Sequence, residues 1–151
     1  MPIGLEVEGL EELRLRFQGF PSAYYKAMSK TMVASLLVLW ENVPSYPPAI
    51  PGGWYVRTGL LGRSLGSGME GGKHGPPDIL EVKYGSRFSE GTFGSRVYYA
   101  PDVIGENQDP FFAGRGWWNI MTIVNKAKGK IETLWKAMAD ELAKYLDGRS
   151  L

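Results

Sequence analysis

The chain has 151 residues, 44% hydrophobic and 22% charged, with a formal net charge of +1 and no cysteine. That length suits one domain spanning residues 1–151 and can bury a core without staples. The composition argues against wholesale disorder, the charge against a nucleic-acid binder acting through bulk charge, and the missing cysteines exclude disulfides and thiolate metal sites.

In chain order, Ile3, Leu5 and Val7 alternate with Gly4, Glu6 and Glu8, which predicts a half-buried strand. No basic region followed by an apolar core opens the chain, so no signal peptide is expected. From Gly9 the period changes, and Leu10, Leu13 and Phe17 predict a short helix broken at Gly19. Pro21 then suits the first turn of a longer helix, with Tyr25, Met28, Met32, Leu36, Leu39 and Trp40 on its apolar side. Leu37 and Val38 widen that side and predict deep burial near its end. The apolar stretch Met32 to Trp40 is about half of the roughly 20 residues that a membrane span needs, so a soluble protein is expected. Pro44, Pro47, Pro48 and Pro51 forbid continuation of the helix.

The middle of the chain is rich in glycine. Leu60 to Leu65 fits a strand or a helical turn equally well. Leu80, Val82 and Tyr84 alternate with Glu81 and Lys83, a strand pattern, and Arg96 to Ala100 is a second candidate strand. Two exposed loops are expected, from Gly66 to Pro77 and from Gly85 to Ser95. The final helix has the longest apolar stripe, from Trp117 through Ile120, Val124, Ile131, Leu134 and Leu142 to Tyr145. Gly129 lowers its propensity by about 1 kcal/mol, and Asp147-Gly148 supplies a stop. The fold class predicted is α+β: a small, mostly antiparallel sheet packed against two long helices, with long Gly/Pro-rich loops.

Catalytic signatures fail on context. Gly66, Gly68 and Gly71 spell G-x-G-x-x-G, but Gly72, Gly75, Pro76 and Pro77 follow where a dinucleotide site needs a helix. A phosphate-binding loop at Gly72-Lys73 lacks its first glycine, which is Ser67, and its hydroxyl residue, which is His74. That histidine is the only one, so no His-pair metal site exists. Ser64 lacks a strand–elbow–helix setting and is assigned a local hydrogen bond to backbone. Glu11-Glu12 and Asp140-Glu141 are adjacent on helices and do not converge on a substrate. Lys126, Lys128 and Lys130 are read as a solvated face. No catalytic residue, cofactor or metal is assigned.

The aromatic residues point elsewhere. Trp54, Tyr55, Tyr98, Tyr99, Phe111, Phe112, Trp117 and Trp118 gather at loops and element ends. Trp118 would project about 100° round the helix from Trp117, so the two cannot both face one core. Surplus aromatics of this kind anchor protein interfaces.

The order of motifs is distinctive: Gly9-Leu10, the proline-rich exit, Thr58-Gly59-Leu60 with Ser64, Tyr99-Ala100, Gly105, then Pro110-Phe111 before the last helix. It resembles the small neck and tail-completion proteins of long-tailed bacteriophages and prophages, the head–tail joining group. The resemblance spans nearly the whole chain, though Asp102-Val103-Ile104-Gly105 lacks the glutamate usual before the glycine. It implies a structural virion protein and not an enzyme, assembled in the host bacterial cytoplasm and placed in the neck or tail. It further implies a homo-oligomeric ring of roughly six or twelve copies, closed by a heterologous interface. The partners implied are connector or adaptor and tail proteins, with DNA only passing through the lumen and no membrane. Candidate contact residues are Trp54, Thr58, Gly59, Leu60, Arg63, Ser64, Tyr99, Phe111, Phe112 and Trp118. Two alternatives are a small non-viral binding module and a carboxylate-dependent hydrolase or nuclease using Asp102 or Glu106.

Overall fold

One helix, α1 (Leu10–Glu41), runs for 32 residues through Gly19, where the sequence predicts a break, and through Pro21, where it predicts the start of a second helix. In the computed structural model, which describes residues 10–53, 58–68, 75–85 and 89–148, neither Gly19 nor Pro21 ends it. Gly19 is instead a point of close approach: a Cβ there would run into the hydroxyl of Tyr145. Pro21 removes one helical hydrogen bond. Phe20 bridges the site, its ring 6.1 Å from Tyr24 and 6.5 Å from Tyr145. Packing across this seam overrides the local preference to stop. The alternating segment Ile3 to Val7 lies outside the described residues.

The element order continues with α2 (Leu60–Ser64), β1 (Ile79–Tyr84), β2 (Ser89–Gly94), α3 (Ala100–Ile104), α4 (Pro110–Ala113) and α5 (Ile120–Asp147). The architecture is α+β, two long helices with a two-stranded antiparallel sheet. The segment at Leu60 therefore resolves as a helix.

The predicted strand at Leu80 to Tyr84 is present as β1, but its partner is not Arg96 to Ala100. That partner is β2, in register from Ile79 opposite Gly94 to Tyr84 opposite Ser89, inside a stretch expected to be a loop. Two glycines hide the strand in the sequence, and Gly91 has a reason: a Cβ there would meet Met32 Sδ at 2.8 Å and crowd Leu36. The sheet thus lies directly on α1, and Tyr84 and Ser29 share a hydrogen bond of 2.7 Å. Downstream, Pro101 sits in the first turn of α3, where its fixed φ favours helix over strand.

Helix α5 runs antiparallel to α1. Lys130 pairs with Glu41 at 3.1 Å, Trp135 Nε1 donates to Ser35 Oγ at 3.1 Å, and Arg16 reaches the Leu146 carbonyl at 3.4 Å. The Lys130–Glu41 pair is about 60% exposed on both sides, so it contributes about 0–1 kcal/mol. Ile123, Ala127 and Leu142 are the buried residues of α5, so its first half turns a different side inward from the predicted stripe: Val124 is 38% exposed where Ile123 is fully covered. Gly129 interrupts nothing, and Gly148 caps the end at φ 74°. The start differs from expectation. Asn119 accepts from the Met121 N–H at 2.8 Å and caps the helix, which leaves Trp117 and Trp118 ahead of it. Lying outside the helix, these two tryptophans are not set about 100° apart by its turn.

Val43, Tyr46, Leu61, Leu65, Ala100, Val103, Ile104, Trp117 and Ile123 form the buried cluster. It gathers the end of α1, the start of α5 and the short helices between them. Away from it, the first half of α1 and the second half of α5 continue as a two-helix arm. Leu36 and Val38 are 4% exposed, but Leu37 faces outward at 38%, against expectation. The predicted loop from Gly66 is also partly buried, with Gly66, Ser67 and Pro77 covered. No described helix is long and apolar enough to cross a membrane.

Candidate functional site

The motif segments, scattered over sixty residues of sequence, meet around Tyr46. This tyrosine leaves α1 on the proline-rich segment, and its ring stands edge-on to Trp117 at 5.0 Å and 77°. Its hydroxyl accepts from the Gly59 N–H at 2.9 Å, and its backbone N–H donates to the Gly68 carbonyl at 3.2 Å. Ser67 Oγ donates to the Pro44 carbonyl at 2.6 Å and ties the same strip to the far end of α2. The Thr58-Gly59-Leu60 turn is thus pinned through one phenol. Tyr46→Phe is expected to cost about 1–2 kcal/mol in urea unfolding, because the buried Gly59 N–H loses that acceptor. A loss below a few tenths would show that the pin is idle.

Helix α2 divides its residues sharply. Leu61 and Leu65 are 2% and 1% exposed, whereas Leu60 is 48% exposed. Ser64 makes the expected local bond, donating to the Leu61 carbonyl at 2.7 Å, and its hydroxyl also meets Ser95 Oγ at 2.5 Å. Arg63 is exposed and donates to the Thr58 carbonyl at 3.3 Å. Of this group, Thr58, Leu60 and Arg63 are at the surface, while Gly59 and Ser64 are buried. Trp54 lies outside the described residues.

The aromatic candidates separate in the same way. Tyr98 is 91% exposed, with its ring edge-on to Tyr99 at 5.2 Å. Tyr99, Phe112 and Trp118 pack against the buried cluster. Phe111 is half-buried beneath Arg115, whose guanidinium carbon lies 3.3 Å from the ring centroid, a cation–π contact. Trp118 also borders an open groove of about 820 Å³ between the proline-rich strip and Gly114 to Gly116. Among the described residues the most exposed aromatic is therefore Tyr98, while Tyr99, Phe112 and Trp118 support the core.

Three polar residues hold these loops together. Gln108 Nε2 donates to the carbonyls of Val103 at 2.6 Å and Trp117 at 3.0 Å. Asn119, besides capping α5, donates to the Gly105 carbonyl at 2.6 Å. Asp109 caps α4 by accepting from the Phe111 N–H at 2.8 Å. The two caps carry a readable signal, Asp or Asn directly before a helix start. Gln108 carries none, since a side chain bonding distant carbonyls follows no spacing rule.

Asp102 and Glu106 are both exposed, and among the described residues no three His, Asp or Glu side chains gather where they could hold a metal ion. Lys128 pairs with Glu132 at 3.9 Å and Lys130 with Glu41, as side chains on a solvated face do. No family model, curated protein or solved structure significantly matches the chain.

Proposed function

We propose that this chain is a structural protein of the neck of a long-tailed bacteriophage or prophage. In this reading it is one subunit of a ring that joins the head connector to the tail or completes the tail. One observation carries the reading. The segments from Thr58 to Phe112 that bear the family resemblance converge on a single buried cluster, and they leave Leu60 and Tyr98 projecting from it at 48% and 91% exposure. A rigid base with apolar side chains held outward is the arrangement expected of an interface anchor. The nearly neutral net charge also suits a lumen through which DNA must slide, because strong phosphate contacts would retain it.

The test is made on particles. Disrupting the gene is expected to yield filled heads and separate tails, and imaging of intact particles is expected to place the labelled chain between connector and tail tube. Normal infectious particles lacking the chain would overturn the reading, and a strongly basic belt of lumen-facing residues would sink the DNA part of it.

A further inference from the structure

The two-helix arm carries a groove of about 850 Å³ between α1 and α5, well away from the buried cluster. Ala23, Ala27 and Leu142 give it an apolar floor. Lys26, Lys30 and Lys144 stand exposed along its edges with Glu141. Every described ion pair uses other cations, so these three lysines are without an anionic partner among the described residues. Three lysines against one glutamate leave the groove with two positive charges in excess.

A matching shape occurs at the other end of the molecule. Tyr98 projects at 91% exposure, and Asp102 and Glu106 follow it in exposed positions with no ion pair among the described residues. An aromatic knob with two carboxylates therefore faces a concave apolar strip with two excess positive charges. The knob cannot enter its own groove. Tyr99, next to Tyr98, packs on the buried cluster, as does Leu39, which lies about 18 Å along α1 from Ala27 at 1.5 Å per residue, beyond a side chain's reach.

We propose that the α1–α5 groove of one copy receives the Tyr98 knob of a second copy of this chain, with Asp102 and Glu106 meeting Lys26, Lys30 and Lys144. The phenol ring lies on the alanine floor, where small side chains admit it, and the carboxylates set its orientation. Groove and knob are different surfaces, so the contact is heterologous and each subunit retains one of each. Repetition then closes a ring or extends a filament, according to the rotation per step. The contact rests on the self-association in the reading above and identifies the surfaces that carry it.

The chain has no native cysteine, so single cysteines report the contact directly. Full-length Ser22→Cys and Asn107→Cys variants, both keeping Tyr98, are mixed with a short bis-maleimide, at concentrations up to millimolar. The mixture is expected to give a cross-linked heterodimer, and each variant alone only background. Adding Lys26→Glu and Lys30→Glu to the first variant is expected to cut the yield about tenfold, and adding Asp102→Lys and Glu106→Lys to the second to restore it. All these positions are exposed, so folding is preserved, and unchanged thermal melts verify it. A yield indifferent to charge reversal overturns the contact. So does the absence of a cross-link. An amine-reactive reagent then separates the two ideas: if it still shows self-association, only this contact falls. If it shows none, the contact falls and the neck reading stands or falls on the particles alone.

Discussion

Ile123→Ala is expected to destabilise the protein by about 3–4 kcal/mol, in the range measured when a buried branched side chain is cut to alanine. Ile123 has no exposed surface and sits where the first turn of α5 meets the buried cluster. Its removal leaves a cavity among Tyr46, Val103 and the other members, which Trp117 and the short helices cannot all move to fill. For a domain of this size the midpoint of thermal unfolding should fall by roughly 10 °C. Val124, one residue on and 38% exposed, is the control, and its alanine variant should stay within about 1 kcal/mol. Circular dichroism melts with urea titrations decide the matter, and similar losses at the two positions would show that the cluster is not the source of stability.

Gly66→Ala is the second substitution expected to be costly, for two separable reasons. Gly66 holds φ at 72°, a conformation that costs an L-residue about 1–2 kcal/mol. An added Cβ would also press on the Trp40 indole nitrogen and lie 2.6 Å from the Gly75 carbonyl oxygen. The backbone there is held, since Gly66 N–H donates to Arg63 O at 2.9 Å and Ser67 N–H to Gly62 O at 2.8 Å. Relief therefore requires moving the end of α2 or the strip that returns to β1. A total cost of about 3 kcal/mol or more is expected. Gly52→Ala separates the contributions, because Gly52 has φ 75° and nothing within 4 Å of its added Cβ. Equal losses for the two variants would show that backbone conformation alone matters at Gly66.

The candidate surface was only partly legible in the sequence. The Thr58-Gly59-Leu60 motif marks a turn, but which of its neighbours face outward depends on Tyr46, 13 residues upstream. The gathered aromatics suggest an interface, yet Tyr99, Phe112 and Trp118 are held inward by the cluster while Tyr98 is not. Adjacent aromatics in a turn carry no periodicity, so their order along the chain cannot say which is covered. The groove on the arm is invisible in the same way, because Lys26, Lys30 and Lys144 meet only when α1 and α5 pack antiparallel.

Where structure follows from contacts close in sequence, the amino-acid order was sufficient. It set the second half of the α5 stripe, from Ile131 to Tyr145, and the glycine cap of that helix, the alternation of β1, the end of α1 before the proline-rich strip, and the local bond of Ser64. Tertiary structure decided the rest: the passage of α1 through Gly19 and Pro21, the strand at Ser89–Gly94, and the burial of Trp117 ahead of α5. The reason is one of magnitude. Most local preferences amount to about 1 kcal/mol or less per residue, and even the roughly 3 kcal/mol against a helical proline can be outweighed by the side chains packed around it. At Gly19, the preference to break yields to Tyr145, whose hydroxyl fills the space a side chain would have taken.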